Sequence, residues 1–462
     1  MNKFYLFGIV LVAVIGGLLF GYDTAVISGA EQGLEDFFDS STEFDYTDAL
    51  HGFTSSSALI GCVIGAFLSG IMAGRLGRKK SLFIAGVCFF ISAWGSYAPE
   101  TWILPKEPTL TLLVVFNCYR ILGGIGVGLA SAICPMYIAE IAPASRRGAL
   151  VSWNQFAIIF GQLVVYFVNF LIIRAHINDP AIQEWTQEVG WRVMFGSECV
   201  PAALFTLLIL LVPESPRYLV LNGRDEEALQ VLTRINGEQR AAEIVEEIRQ
   251  TAVEKREPLL AYGWLVIFVG IMLSVFQQAV GINAVLYYAP RIFESVGLDN
   301  PMTFTVLMGV VNISFTLLAI FTVERFGRKP LLIYGSLLMA FGALLFAVTK
   351  IIAMPDWIEV LSILIYSAAF MFSWGPICWV YMSELFPNTI RSQATAIAVA
   401  FQWIFNFIVS SSFVPLYNFS PVMVYAVYGI ICLVAAWFVY RLVPETKGKT
   451  LEQMTALWRS RK

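Results

Sequence analysis

The heptapeptide GRLGRKK, Gly74 to Lys80, closes one long apolar run, and ERFGRKP, Glu324 to Pro330, closes another half a chain later. A basic turn at the end of an apolar run is what the loading of Lys and Arg onto one membrane face produces. Its recurrence points to duplication. Two further pairs keep the same order. Glu140, Pro143 and Arg147 share the spacing E-x2-P-x3-R with Glu384, Pro387 and Arg391, and PESPR (Pro213 to Arg217) is matched by PETKG (Pro444 to Gly448). Three pairs in one order predict two copies of one unit. A unit with an even number of spans keeps its orientation, so the axis relating the copies runs along the membrane normal and a binding site lies between them.

Composition agrees. Of 462 residues 58% are hydrophobic and 14% charged, and the mean hydropathy is +0.72, more apolar surface than a soluble fold can hide. The apolar runs show no two-residue alternation, which excludes a closed barrel and leaves helices. Spans are predicted at about 5–29, 53–74, 81–99, 110–137, 148–173, 192–213, 262–289, 302–323, 330–349, 359–383, 392–415 and 421–441, each near the roughly 20 residues a bilayer requires. Pro415 and Pro421 mark the turn between the last two. The expected fold is all-α and integral to the membrane: twelve helices in two pseudo-symmetric six-helix halves, 1–213 and 261–445, with a helical linker 214–260 and a tail 446–462.

Even-numbered connections carry Arg75, Arg78, Lys79 and Lys80, then Arg146 and Arg147, then Arg325, Arg328 and Lys329, then Arg391. The first connection instead holds Glu31, Glu35, Asp36, Asp39, Glu43, Asp45 and Asp48 without a Lys or Arg. This bias puts both termini on the cytoplasmic face. Lys3 ahead of an apolar stretch imitates a signal peptide, but the stretch is too long and lacks a small-residue cleavage site, so it reads as the first span. All seven cysteines fall within spans and are expected to be buried and unpaired. His51 and His176 are placed in outer connections without metal-ligand spacing. The linker segments DEEALQVLTRI and AAEIVEEIRQTAVEKR read as short amphipathic helices with i,i+4 charge pairs, either a solvated connection or a latch across the cytoplasmic mouth.

Within the first span stands one charge, Asp23. An acid at a helix centre costs about 2.5–3.5 kcal/mol on insertion scales, so it should face the protein interior and have a partner. Arg120 in the fourth span can hold it by two parallel hydrogen bonds. A permanent pair keeps the carboxylate charged, so proton coupling requires the pair to loosen in one state; the alternative is a fixed structural pair. Glu198 in the sixth span is a second candidate proton carrier. A small neutral polar ligand would need many donors and acceptors, and an indole face for its C–H surface. Gln162, Gln277, Gln278, Asn283, Asn312, Trp379, Gln402, Trp403 and Asn406 supply such groups inside spans, as ligand contacts or as helix glue. Gly281 within QQAVGIN can loosen the helix next to the amides, and discontinuous helices mark transporter sites. Phe20, three residues before Asp23, can touch both such a ligand and the coupling site. GGIGVG, Gly123 to Gly128, lies inside a span and so reads as close helix packing, not a dinucleotide loop. No nucleophile and base stand together, so no enzymatic activity is expected.

Through GRLGRKK, RILGGIGVG, PMYIAEIAPASRRG, PESPRYL, FQQAVGINAVLYY, ERFGRKP and PETKGKTLE, which are spread over both halves, the chain resembles the sugar porter family of the major facilitator superfamily. The resemblance implies a proton-coupled monosaccharide importer, for D-xylose foremost, working by alternating access in the inner membrane of a bacterium. It implies sugar contacts at Phe20, Gln162, Gln277, Gln278, Asn283, Asn312, Trp379, Gln402 and Trp403, and proton coupling through Asp23, Arg120 and Glu198. Arg78, Glu140, Arg147, Glu214, Arg217, Glu324, Arg328, Glu384, Arg391 and Glu445 are expected to form ion pairs that close the cytoplasmic gate, or else to be topology signals and caps. Gly74 stands where the superfamily often has an acid, while the second turn has Glu324, which argues against a symmetric lock. A monomer in the lipid bilayer is expected, with the sugar and a proton as partners and no cofactor, metal or nucleic acid. A passive sugar facilitator is the rival reading, and a membrane sugar sensor a more distant one.

Overall fold

The computed structural model describes residues 3–100, 104, 106–143, 147–176, 180–251, 257–297, 300–352, 354–387, 389–447 and 451–460, and among these every regular element is helical. The first half contains α1 (Lys3–Ala25), α2 (Ile27–Asp39), α3 (Asp48–Arg75), α4 (Arg78–Tyr97), α5 (Leu110–Ile141), α6 (Arg147–Ala175), α7 (Ile182–Trp185), a π-helical turn at Thr186–Gly190, α8 (Trp191–Ser197) and α9 (Cys199–Leu208). Next come α10 (Pro216–Leu221), α11 (Asp225–Asn236) and α12 (Glu238–Thr251). The remainder holds α13 (Trp264–Ala279), α14 (Ile282–Tyr287), α15 (Ala289–Ser295), α16 (Pro301–Phe326), α17 (Arg328–Ile352), α18 (Asp356–Phe372), α19 (Trp374–Leu385), α20 (Arg391–Phe419), α21 (Pro421–Leu442) and α22 (Leu451–Ser460).

Eleven helical runs among the described residues are long and apolar enough to cross a membrane. The sixth crossing predicted from sequence is instead a chain of shorter pieces, α7 to α9, interrupted at Glu198. Pro201 accounts for the interruption: it has no N–H to offer the carbonyl of Ser197, and its ring crowds that carbonyl. The Glu198 N–H turns to Phe195 O instead, at 3.2 Å. Three other boundaries differ from expectation. Residues 31–39, read as a connection, continue the first crossing as α2, whose buried face is Ile27, Ala30, Glu31, Leu34, Phe37 and Phe38. His51 lies inside α3 and is wholly buried. Helix α20 runs past Pro415, and the turn comes at Ser420, whose side chain caps α21 through the Met423 N–H.

Packing within each half is close. A Cβ on Gly124 of α5 would strike the carbonyl of Ala58 on α3, and one on Gly61 would strike that of Ile121. Hence GGIGVG serves helix approach, as read from its position in a span. Between the halves, α3 packs on α20 and α6 on α16. Each contact joins the second crossing of one half to the fifth of the other, the exchange a two-fold axis along the membrane normal requires. The linker helices keep a small core of their own, Leu219, Val220, Ala228, Leu232, Ala241 and Val245. Their ion pairs include Arg240–Glu243 and Arg224–Glu227, each at 2.6 Å and three residues apart, and Arg240–Glu247 at 3.1 Å, seven apart. The described cysteines are all free; Cys118 is exposed and Cys199 half-buried, against the expectation that all are buried.

Candidate functional site

Where the halves meet, a cavity of about 70 Å³ is lined by Phe20, Thr24, Gln155, Ile158, Ile159, Gln162, Gln277, Gln278, Asn283, Leu286, Tyr287, Phe370, Met371, Gly375, Trp379, Gln402, Trp403 and Asn406. Helices α1 and α6 supply one wall; α13, α14, α18, α19 and α20 supply the other. Sequence periodicity alone does not bring these groups together. The break after α13 does: Gly281 adopts φ +88°, a conformation cheap only for glycine, and α14 restarts at a new angle with Asn283 on the cavity.

The amides are already knitted. Gln402 donates through Nε2 to Gln277 Oε1 at 2.5 Å, Asn283 donates through Nδ2 to Gln278 Oε1 at 2.6 Å, and Gln277 Nε2 donates to the Trp374 carbonyl at 3.2 Å. Left over are the carbonyl oxygens of Gln162 and Gln402 and the indole N–H of Trp403, buried and without a hydrogen-bond partner. Phe20 and Trp403 tilt towards one another with ring centroids 5.6 Å apart. Spare acceptors, a spare donor and aromatic faces, with no charge on the wall, suit a small neutral polyol.

Of the residues expected to touch sugar, Asn312 does not line the cavity. Its Oδ1 accepts from Ser367 Oγ at 2.6 Å and so ties α16 to α18. Thr24, Gln155, Tyr287 and Asn406 line the cavity as well. Asn406 was visible in the sequence as an amide inside a span, and Thr24 neighbours the charge at Asp23; Gln155 carried the same amide signal as Asn406 but was missed, and Tyr287 carried none of its own.

Behind the α1 wall, Asp23 and Arg120 meet. Arg120 donates through Nη1 to Asp23 Oδ1 at 2.6 Å and through Nη2 to the Asp23 backbone carbonyl at 3.2 Å. The expected pair of bonds to both carboxylate oxygens is not formed, and Asp23 Oδ2 has no partner. Arg120 lies 4.9 Å over the Phe195 ring. Asp23 and Arg120 are also the charged neighbours of Glu198, whose buried carboxyl lies within hydrogen-bond reach of Asp23 and finds no other donor. The break ahead of Pro201 thus delivers a second carboxyl to the same spot.

At the end carrying the basic turns, one network is built twice. Arg78 reaches Glu140 at 2.7 Å and Arg328 reaches Glu384 at 2.8 Å. Ser215 donates to the other oxygen of Glu140 at 2.5 Å, as Thr446 does to Glu384 at 2.6 Å. Glu214 accepts from the backbone N–H of Arg78 at 2.9 Å, as Glu445 does from that of Arg328 at 3.1 Å. Each carboxylate so caps the first turn of a helix, α4 or α17, where the helix dipole favours negative charge. Gly74 takes no part in these bonds. The Arg78–Glu140 and Arg328–Glu384 pairs each join groups of one half. Arg391 donates to the Phe386 carbonyl at 3.3 Å, and Arg217 is exposed. The side chains of Arg147 and Glu324 lie outside the described residues.

Metal-ligand geometry arises where the sequence showed no such spacing: Glu31, Glu35 and His51 converge at the opposite end. The Arg291 guanidinium already contacts both carboxylates and supplies their positive charge.

Comparison with known proteins gives a consistent answer. The profile of the sugar (and other) transporter family matches residues 9–458. The D-xylose-proton symporter of Escherichia coli K12 is 49% identical over 479 aligned positions, covering 99% of this chain and 96% of the relative. The glucose facilitated diffusion protein of Zymomonas mobilis is 38% identical, covering 98% and 97%. The inward-open structure of the E. coli xylose transporter XylE superposes with a TM-score of 0.87 at 48% identity, over 98% of this chain and 100% of that one.

Proposed function

Because this chain belongs to the sugar transporter family, we propose that it carries a monosaccharide, D-xylose by preference, into a bacterial cell across the inner membrane together with a proton. The observation that carries this reading is the pairing of an uncharged amide and indole cavity between the halves with a buried carboxylate pair one helix wall away. Sugar and proton would then meet on opposite faces of α1, Phe20 and Thr24 towards one and Asp23 towards the other.

The residue roles follow from that arrangement. Gln162, Gln277, Gln278, Asn283, Trp379, Gln402 and Trp403 bind sugar, with Phe20 closing the space above Trp403. Asn312 holds its helix in place for them. Asp23 takes up the proton when its single-oxygen grip on Arg120 loosens, and Glu198 shares that proton. With Asp23 ionised the empty carrier reorients poorly, so inward proton movement favours inward sugar movement. Residues 1–213 and 261–445 rock about the central cavity, and the duplicated networks at the cytoplasmic end keep each half rigid as it moves. Both termini are cytoplasmic, and one chain is a complete carrier.

Uptake of labelled xylose and glucose into proteoliposomes, with and without an inward proton gradient, tests this. Gradient-driven accumulation of xylose above its external concentration is expected. Uptake that only equilibrates under every gradient would identify a passive facilitator, and Asp23 would then be a structural partner of Arg120.

A further inference from the structure

At the end of the molecule opposite the basic turns, a charged cluster joins the two halves. Glu31 and Glu35 stand on α2 and His51 on α3, all in the first half; Arg291 stands on α15, in the second. Arg291 Nη2 lies 2.5 Å from Glu31 Oε1 and also contacts Glu35. His51 Nε2 lies 3.0 Å from the same Glu31 oxygen, and its Nδ1 is 3.2 Å from the hydroxyl of Tyr46. The side chains of Glu31 and His51 are wholly buried, that of Arg291 is 13% exposed and that of Glu35 25%. Two other bonds cross the same seam: Gln32 donates to Glu294, and Asn418 donates to Asp48 at 2.9 Å.

We infer that Arg291 is the bolt of an outer gate, inserted between Glu31 and Glu35 when the outer mouth is shut and withdrawn each time that mouth opens. This rests on the alternating-access reading above and adds gating residues that the sugar and proton sites do not include. Three observations carry it. First, the pair joins bodies that must part at this end for sugar to enter, so it cannot survive the cycle intact. Second, the carboxylate left behind is provided for: Glu31 keeps His51, and His51 keeps Tyr46, on the first half alone. Third, Arg291 stands one helical turn beyond Tyr287, which lines the central cavity, and both lie beyond the Gly281 break. A swing of α14 and α15 that withdraws the guanidinium therefore also moves a wall of the sugar site. Removing the positive charge should weaken the shut state without abolishing it, because Asp36, Asp39 and Glu294 nearby are all acidic while the Gln32–Glu294 and Asn418–Asp48 bonds remain.

The test is a distance measurement across the outer seam by pulsed electron resonance in nanodiscs. Spin labels are carried on keto amino acids at Ser40 and Asn300, leaving the seven native cysteines untouched. Arg291→Met, which keeps an apolar stem without charge, is expected to raise the ratio of long to short distances by about tenfold or more, the scale of a lost charged hydrogen bond. Arg291→Lys, which keeps the charge, should stay near the parent. Glu35→Gln should raise the ratio less than Arg291→Met. Equal distributions for the parent, Arg291→Lys and Arg291→Met would overturn the bolt. Should Arg291→Met not fold, an unchanged Glu35→Gln would overturn it as well. A parent with a single distance, with or without xylose and at every pH, would instead sink the alternating-access reading itself.

Discussion

At Asp23 a single side chain decides between two kinds of carrier. It is wholly buried, yet Arg120 satisfies only one of its oxygens and spends its other amino group on a backbone carbonyl. A pair built for permanence would use both oxygens, since the bidentate form is the stronger. With the buried Glu198 carboxyl within hydrogen-bond reach of Asp23 once either acid holds a proton, the site has the makings of a shared proton, not of a fixed strut. Asp23→Asn removes the titrating group while keeping size and one acceptor. Sugar accumulation in proteoliposomes should fall from severalfold to a ratio of about one, while exchange of labelled for unlabelled sugar persists at a comparable rate. Loss of both activities together would assign Asp23 to structure. The residue scale was also the most legible one: Asp23, Arg120 and the amides announce themselves as polar groups in apolar runs. What sequence could not supply was orientation. Asn312 and Gln402 look alike in a list of buried amides, and only helix rotation sends one to Ser367 and the other to the cavity.

Among the elements, the informative ones are those that break. Long uninterrupted helices such as α3, α5 and α17 were readable from apolar length alone, because lipid leaves a chain no other way to satisfy its backbone. Boundaries set by tertiary partners were not. The acids of α2 read as a loop because nothing local reveals that His51 and Arg291 await Glu31, and the break at Glu198 is hidden in a run apolar enough to look continuous. Gly281 was legible as a weak point, and the structure adds why it must be glycine: φ is +88°, and a Cβ would run into the ring of Tyr428. Gly281→Ala should therefore cost about 1–2 kcal/mol from the left-handed backbone alone, with a steric cost besides. The measurement is thermal unfolding in detergent beside xylose affinity. A lower midpoint together with weakened binding is expected, since Asn283 and Tyr287 both hang from the segment this residue aims. An unchanged midpoint would mean that the break is not held by Gly281.

For the whole molecule, the question is whether the two networks at the basic end bolt the halves to each other or stiffen each half separately. Seen from the sequence, E-x2-P-x3-R beside each basic turn suggested a gate. In the structure, Glu140 gathers Arg78 and Ser215 while Glu384 gathers Arg328 and Thr446, and each set closes on its own half. At the opposite end Arg291 joins one half to the other, so the two ends of the molecule are built differently: an ion pair across the seam at one, two networks closed on themselves at the other. Bracing has a thermodynamic signature that bolting lacks. Groups that share no partner and lie far apart contribute independently, to within about 0.3–0.5 kcal/mol, whereas members of one network couple by about 0.5–3 kcal/mol. Glu140→Gln and Glu384→Gln should each lower stability by leaving a partly buried arginine without its counter-charge, and the double variant should lose the sum of the two. Glu140→Gln combined with Ser215→Ala, both inside one network, should lose less than their sum. A double-mutant cycle on unfolding midpoints decides it: coupling between Glu140 and Glu384 as large as that between Glu140 and Ser215 would mean the networks act across the halves, and the ends carrying the basic turns would then be a lock instead of two braces.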